Sequence, residues 1–102
     1  MIARTWTARA TGDNLRAYVA FFEATLVPGL RAVPGHVGAI VATRDGHITV
    51  TTFWESMAAI RRFAHPIDVA VVEPEARALL DAFDDRVHHA DVAIDTFSRG
   101  AR

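Results

Sequence analysis

Near the middle of the chain, the pair Asp45-Gly46 separates two runs of alternating and β-branched residues, 37–43 and 48–54. An Asp-Gly pair between two such runs is the strongest short-range signal for a two-residue β-hairpin. A hairpin places its strands side by side and antiparallel, so all other elements have to pack around that pair. This feature therefore limits the possible folds more than any other in the sequence.

The segment before the hairpin predicts a strand followed by a helix. The run 2–9 alternates and contains a Trp, which is typical of a strand. The cluster 11–14 supplies a turn and a helix N-cap. From Leu15 onward, apolar residues recur every three or four positions, which predicts an amphipathic helix. We expect this helix to end at the Pro-Gly pairs 28–29 and 34–35.

The segment after the hairpin predicts two helices and a last strand. Ser56 is a suitable N-cap for a helix that must stop by His65, because Pro66 disfavours the α conformation in the residue before it. Pro74 suits a first helical position. The apolar stripe of that next helix consists of Ala76, Leu79, Leu80 and Phe83. The run 87–96 predicts the final strand.

The order of elements is therefore β-α-β-β-α-(α)-β, which predicts an α+β, ferredoxin-like sandwich with a four-stranded antiparallel sheet. Helices cover one face of such a sheet, and the other face is normally polar. Here the strands are poor in polar residues on both faces, for example at Ile2 and Ala3 or at Val41 and Ile40. A second copy of the chain is the simplest cover, so we predict a two-fold homodimer that packs sheet to sheet.

Composition narrows the classes of function. The 102 residues suit a single domain, 1–102, and the net charge of −1 gives no basic surface for nucleic acid. The absence of cysteine excludes disulfides, thiolate metal sites and cysteine nucleophiles. No run of 18 apolar residues occurs and the first residues lack an apolar signal core, so we expect a cytoplasmic protein that does not contact membranes.

Four segments resemble a known family. Residues 27–39, which read VPGLRAVPGHVGA, are similar to the link between the first helix and second strand of the antibiotic biosynthesis monooxygenases. Residues 53–60, FWESMAAI, resemble the junction of that family's third strand and second helix. The segments 72–77 and 87–89 continue the match, so the resemblance covers nearly the whole chain.

The resemblance implies a dimeric α+β barrel with a pocket between each sheet and its own helices. For some members it also implies oxygenation of phenolic, polyketide-like aromatics in secondary metabolism, with no metal, flavin or haem. We therefore expect a small aromatic or hydrophobic substrate and no cofactor. The haem-degrading branch of the family needs a histidine ligand near position 72 or 73, where this chain has Val72 and Glu73.

Three residues are catalytic candidates. In the polyketide-oxidising branch, the Trp that matches Trp54 lines the pocket; here its indole N–H either binds a substrate oxygen or is buried against the second helix. On the first alternative, Trp54→Ala weakens ligand binding more than it lowers stability. His65 either deprotonates a phenol or faces solvent at a helix end. His89 matches a His common in the family's last strand; His88 points to the opposite face, so the two cannot chelate one ion.

Seven further residues are predicted to line the substrate pocket: Thr5, Tyr18, Phe22, Val41, Val50, Ile60 and Phe63. Tyr18 and Phe22 share a helix face, which is either core or pocket wall. Arg4 and Trp6 share a strand face and line either the pocket or the dimer interface, where both residue types are enriched. With Thr5 on the pocket side, the interface is the favoured position.

Three classes of function stay open at this point. The first is a cofactor-independent monooxygenase. The polyketide-oxidising branch, however, has His, Asn and Tyr where this chain has Val41, Val50 and Ile60. This loss of polar groups favours the two alternatives, which are a non-oxidative enzyme such as a cyclase or lyase and a non-catalytic dimer that binds a hydrophobic metabolite.

Overall fold

The computed structural model describes residues 1–97. The strands are β1 (Ile2–Arg9), β2 (His36–Arg44), β3 (His47–Trp54), β4 (Ala82–Phe83) and β5 (His88–Asp91). The helices are α1 (Gly12–Phe21), a π-helical segment (Phe22–Leu26), α2 (Val27–Arg31), α3 (Met57–Phe63) and α4 (Pro74–Arg77). The predicted α+β, ferredoxin-like fold is confirmed. Within the described part, no helix is long and apolar enough to span a membrane.

The hairpin predicted from Asp45-Gly46 is present. Arg44 pairs with His47, and the two residues between them have positive φ angles of 50° and 83°. Positive φ at both central residues is the signature of the turn that matches the twist of a hairpin. The turn is also tied to the rest of the sheet, because the amide of Ala10 donates to the carbonyl of Gly46 over 3.0 Å.

The sheet is antiparallel, with β3 and the last strand on either side of β1. β1 pairs with β3 along its whole length, and β3 pairs in turn with β2. On the other edge of β1, β4 pairs with Ala8 and Arg9, and β5 pairs with residues 2–5. Four residues, 84–87, thus stand opposite two, 6–7, of β1. The predicted fourth strand is therefore interrupted by a bulge, which makes five strands by count.

Two helix predictions are corrected. The first helix ends at Arg31, between the two predicted Pro-Gly pairs; it passes through Pro28-Gly29 into α2 and does not end there. The π-helical segment directly precedes the proline, and the Val27 amide donates there to the Phe22 carbonyl. Pro28 then occupies the first turn of α2, where its missing N–H costs nothing. The second correction concerns α4. Its predicted apolar stripe reaches Phe83, but the helix ends at Arg77, and Phe83 instead pairs with Ala8 at the sheet edge.

The helices cover one face of the sheet, which we call the inner face. The largest fully buried side chains are Tyr18 from α1, Ile48 and Trp54 from β3, and Ile60 from α3. Ser56 caps α3 as predicted, accepting a hydrogen bond from the Ala59 amide over 3.1 Å. The opposite, outer face is formed by Ala, Thr, Gly, Ile and Phe residues at the alternate positions of β1–β3. Phe97 packs edge to face on Phe53 there.

Candidate active site

A cavity of about 380 Å³ lies between the inner face of the sheet and the first helix. That volume is within the range of small-molecule pockets, about 300–1,000 Å³. The lining is mostly apolar and comes from β1, β3, α1–α2, α3 and the loop before α4. The lining residues are Arg4, Trp6, Tyr18, Phe22, Thr25, Leu26, Gly29, Leu30, Val50, Thr52, Phe63, Ala70, Val71, Glu73 and Val87.

Aromatic rings form one wall of the cavity. The Tyr18 ring lies 6.3 Å from Trp6 and 6.3 Å from Phe22, centroid to centroid. Trp6 is held in place by its indole N–H, which donates to the carbonyl of Asp84 over 2.6 Å. Burial raises the pKa of Tyr18 to about 12, so its hydroxyl stays protonated at neutral pH. Within residues 1–97 that hydroxyl has no hydrogen-bond partner.

Arg4 provides the cationic group of the cavity and is only 5% exposed. Its Nη1 donates to the carbonyl of Ile67 over 2.7 Å, and its Nη2 donates to the carbonyl of Val69 over 3.0 Å. The guanidinium carbon lies 5.8 Å from the centre of the Phe63 ring. Burial lowers the pKa of Arg4 while the Asp68 carboxylate raises it, and an arginine remains charged in either case.

Three polar side chains lie side by side across the sheet at this point. Thr52 on β3 is the register partner of Arg4, and His89 on β5 is its partner on the other side. Residues directly opposite in an antiparallel sheet share a face, so all three point inward. His89 Nε2 is 2.9 Å from Arg4 Nη1. Arginine has no acceptor, so His89 must accept this hydrogen bond with its neutral nitrogen.

The environment keeps His89 neutral. Burial lowers the pKa of His89, and the neighbouring charge of Arg4 lowers it further, while Asp68 opposes both. The His89 Nδ1 atom lies 3.7 Å from an Asp68 carboxylate oxygen. With Nε2 occupied by Arg4, the N–H of the ring is on the side of Asp68, and His89 presents no free basic nitrogen to a ligand.

None of the three catalytic candidates lines the cavity. Trp54 is 0% exposed and lies behind the cavity wall, with its ring 5.0 Å from the Phe63 ring. The indole N–H of Trp54 donates to the Thr52 hydroxyl over 2.9 Å. That N–H is therefore not available to a substrate oxygen. His65 is exposed beyond the end of α3. His89 reaches the cavity only through Arg4. The structure thus places His89 at one end of the polar row and Trp54 against Thr52 at the other end, and it leaves His65 outside.

Of the seven predicted pocket residues, Tyr18, Phe22, Val50 and Phe63 line the cavity. The other three lie elsewhere. Thr5 points to the outer face, where its hydroxyl is 3.5 Å from that of Thr51. Val41 packs against the core from β2, and Ile60, on α3, is fully buried.

The expected faces of β1 are reversed. Arg4 and Trp6, predicted at the dimer interface, face the cavity, and Thr5 is on the opposite side. The signal was present in the sequence, because Arg4 and Trp6 share one strand face with the apolar residues Ile2 and Ala8, and the structure buries both of these. The apolar stripe of a strand identifies its covered face. Thr52 was not predicted, because its position beside Arg4 follows from the register of two strands and not from a local pattern.

No group of three or more His, Asp or Glu side chains in residues 1–97 could hold a metal ion. His88 and His89 face opposite sides of the sheet, as predicted, with His88 paired to Thr5 and His89 to Arg4.

Several solved structures with this architecture are named as antibiotic biosynthesis monooxygenases. A protein of Chloroflexus aurantiacus named as an antibiotic biosynthesis monooxygenase superposes with a TM-score of 0.63 at 22% identity, over 94% of this chain and 96% of the other. A Deinococcus radiodurans protein of the same name gives 0.62 at 17%, over 95% and 99%. The chain has the fold of the antibiotic biosynthesis monooxygenases.

A third structure with the antibiotic biosynthesis monooxygenase fold is a monooxygenase of Streptomyces coelicolor in complex with nanaomycin D. Its TM-score is 0.60 at 20% identity, over 94% of this chain and 92% of the other. No family model matches the sequence, and no curated protein sequence is significantly similar to it. At these identities the likeness establishes the shared fold.

Proposed function

We propose that this protein belongs to the antibiotic biosynthesis monooxygenases and oxidises a phenolic, quinol-type or polyketide-like aromatic with dioxygen, without a cofactor. The observation that carries this proposal is the aromatic-walled cavity of about 380 Å³ on the inner face of the sheet. A related fold, that of the Streptomyces coelicolor monooxygenase, has been solved with nanaomycin D. An aromatic ligand is the natural occupant of a wall formed by Trp6, Tyr18 and Phe22.

The chemistry makes few demands on the protein. A deprotonated, electron-rich phenol passes one electron to dioxygen, and superoxide then combines with the organic radical at an activated CH₂ carbon of the ring system. Loss of water from the peroxide leaves a carbonyl group; one oxygen atom stays on carbon and the other leaves with the two hydrogens. The protein has to bind and orient the substrate, stabilise its charge and exclude water.

Oxygen uptake with a panel of hydroxyanthrones and hydroquinones, with chelator and no added cofactor, tests the proposal. We expect uptake by the wild type that falls about tenfold or more in Thr25→Trp, because the larger ring obstructs a cavity-lining position and displaces the substrate. Ala20→Trp is the matched control, since Ala20 is exposed on the same helix and does not line the cavity.

Absence of uptake across the panel, with saturable quenching of tryptophan fluorescence by the same compounds, would contradict the oxygenase. It would favour a non-oxidative enzyme or a protein that binds a hydrophobic metabolite. One observation supports the protein that binds a hydrophobic metabolite: neither His65 nor His89 presents a free nitrogen to the cavity, so neither can act there as a base.

A homodimer is part of the proposal. The outer face has exposed apolar side chains, including Ile40 at 44% exposure. We expect the wild type to elute as a dimer at micromolar concentration, and Thr51→Arg, at the centre of that face, to elute as a monomer, because an unpaired charge in a buried interface is costly. Ala20→Arg on the helical side should remain dimeric. Light scattering coupled to gel filtration provides the measurement; a monomeric wild type would contradict this part.

A further inference from the structure

On the sheet side of the cavity, the polar side chains lie at one end. Thr52 and Arg4 lie next to each other in the row across β3, β1 and β5, with His89 beyond Arg4. The neighbouring row toward the hairpin is apolar, with Val50 paired to Trp6. The cavity is therefore divided into a polar end and an aromatic end, which is the arrangement that a planar molecule with one polar substituent requires.

The hydrogen-bonding groups that Arg4 and Thr52 still have available are mainly donors. Arginine has five N–H donors, and three are used by the carbonyls of Ile67 and Val69 and by His89. One Nη2 hydrogen and the Nε hydrogen have no acceptor within residues 1–97. Thr52 accepts from Trp54, so its own hydroxyl hydrogen is left to donate. A site in which donors predominate, one of them a charged guanidinium, fits an oxygen that only accepts.

The charge of Arg4 also has no salt-bridge partner within residues 1–97. The nearby carboxylate of Asp68 acts on Arg4 without a direct contact, and its side chain is 65% exposed, so water screens this interaction. Glu73 is the single acidic side chain in the lining, and it is partly exposed, so water screens its charge. Buried charges in proteins are normally paired.

We infer that the row Thr52–Arg4 is a binding site for the charged oxygen of a planar organic anion, whose ring packs against Trp6, Tyr18 and Phe22. The anion is an aromatic carboxylate or a phenolate, since both present an acceptor-only oxygen beside a ring. This inference rests on the proposed use of the cavity for an aromatic molecule, and it adds the charge of that molecule, its orientation and the residues that recognise it.

Two matched ligand pairs, measured by calorimetry at pH 8, test the inference and distinguish the two sources of the anion. The carboxylate arm compares 2-naphthoate with the neutral 2-naphthamide. The phenolate arm compares 2,4-dinitrophenolate with the neutral 2,4-dinitroanisole. In at least one arm the wild type should bind the anion about tenfold or more tightly than its neutral partner, which is the expected effect of a charge-assisted hydrogen bond.

The variants separate recognition from simple packing. Arg4→Gln removes the charge and should abolish the preference for the anion. Leu26→Ala, in the apolar lining, should weaken both members of a pair equally and leave the preference intact. Arg4→Lys keeps the charge but loses the planar array of donors, so it should retain only part of the preference.

Equal affinity for anion and neutral partner in both arms would overturn the inference, as would a full preference retained in Arg4→Gln. Arg4→Gln loses two hydrogen bonds to the loop and could fail to fold. In that case the ratio of anion to neutral-ligand affinity, measured in the wild type and in Leu26→Ala, still tests the inference. The outcome is independent of turnover. Anion preference without oxygen uptake supports this site and contradicts the oxygenase, and uptake without anion preference does the reverse.

Discussion

Gly35→Ala should lower the free energy of unfolding by about 2–5 kcal/mol, because the new methyl group is strained and has no space. Gly35 has a φ of +89°, which L-residues other than glycine rarely adopt. A Cβ atom there would overlap the side chain of Ala59, which is buried on α3. The segment is not free to move away, since the carbonyl of Gly35 accepts from the Glu55 amide over 2.8 Å.

Urea unfolding followed by circular dichroism measures this effect. Gly29→Ala is the matched control, because a Cβ at Gly29 would meet no heavy atom within 4 Å and the residue lies in α2. The control should be neutral or up to about 1 kcal/mol more stable than the wild type, since alanine favours a helix over glycine. A Gly35→Ala variant as stable as the control would contradict the close contact between the start of β2 and α3.

Trp54→Ala is expected to destabilise the protein by about 3–5 kcal/mol, the usual cost of removing a large buried aromatic side chain. Trp54 is fully buried and packs against Phe63 and, at a T-shaped angle, against His36 at 5.1 Å. Its loss would leave a void behind the cavity wall. The expectation from sequence, that this change weakens ligand binding more than stability, is therefore reversed by the position of the side chain.

Thermal unfolding by circular dichroism and ligand titration by calorimetry, on the same variants, distinguish the two expectations. Trp54→Phe keeps a ring in the same place and should lose much less stability than Trp54→Ala. An unchanged melting temperature in Trp54→Ala, together with a large loss of affinity for aromatic ligands, would show that Trp54 reaches the ligand after all.

Local signals in the sequence were sufficient for most of the fold. The Asp45-Gly46 turn, the Ser56 cap of α3 and Pro74 at the start of α4 were all located correctly. Each depends on the conformational preference of one or two residues. The two errors in the helices have a different origin. Pro28 is tolerated within the helix because a π-helical turn precedes it. The apolar stripe that ends in Phe83 does not form one helix, because Phe83 pairs with the edge of the sheet.

The candidate site was predicted only where it coincides with the apolar core. Tyr18, Phe22, Val50 and Phe63 line the cavity because apolar periodicity identifies covered faces. The sequence by itself thus determined the order of elements, the hairpin and the apolar wall, all of which follow from short-range patterns. Only the tertiary structure decided which face of β1 meets the cavity and that Thr52, Arg4 and His89 form one row, because residues from three strands become neighbours only through strand register.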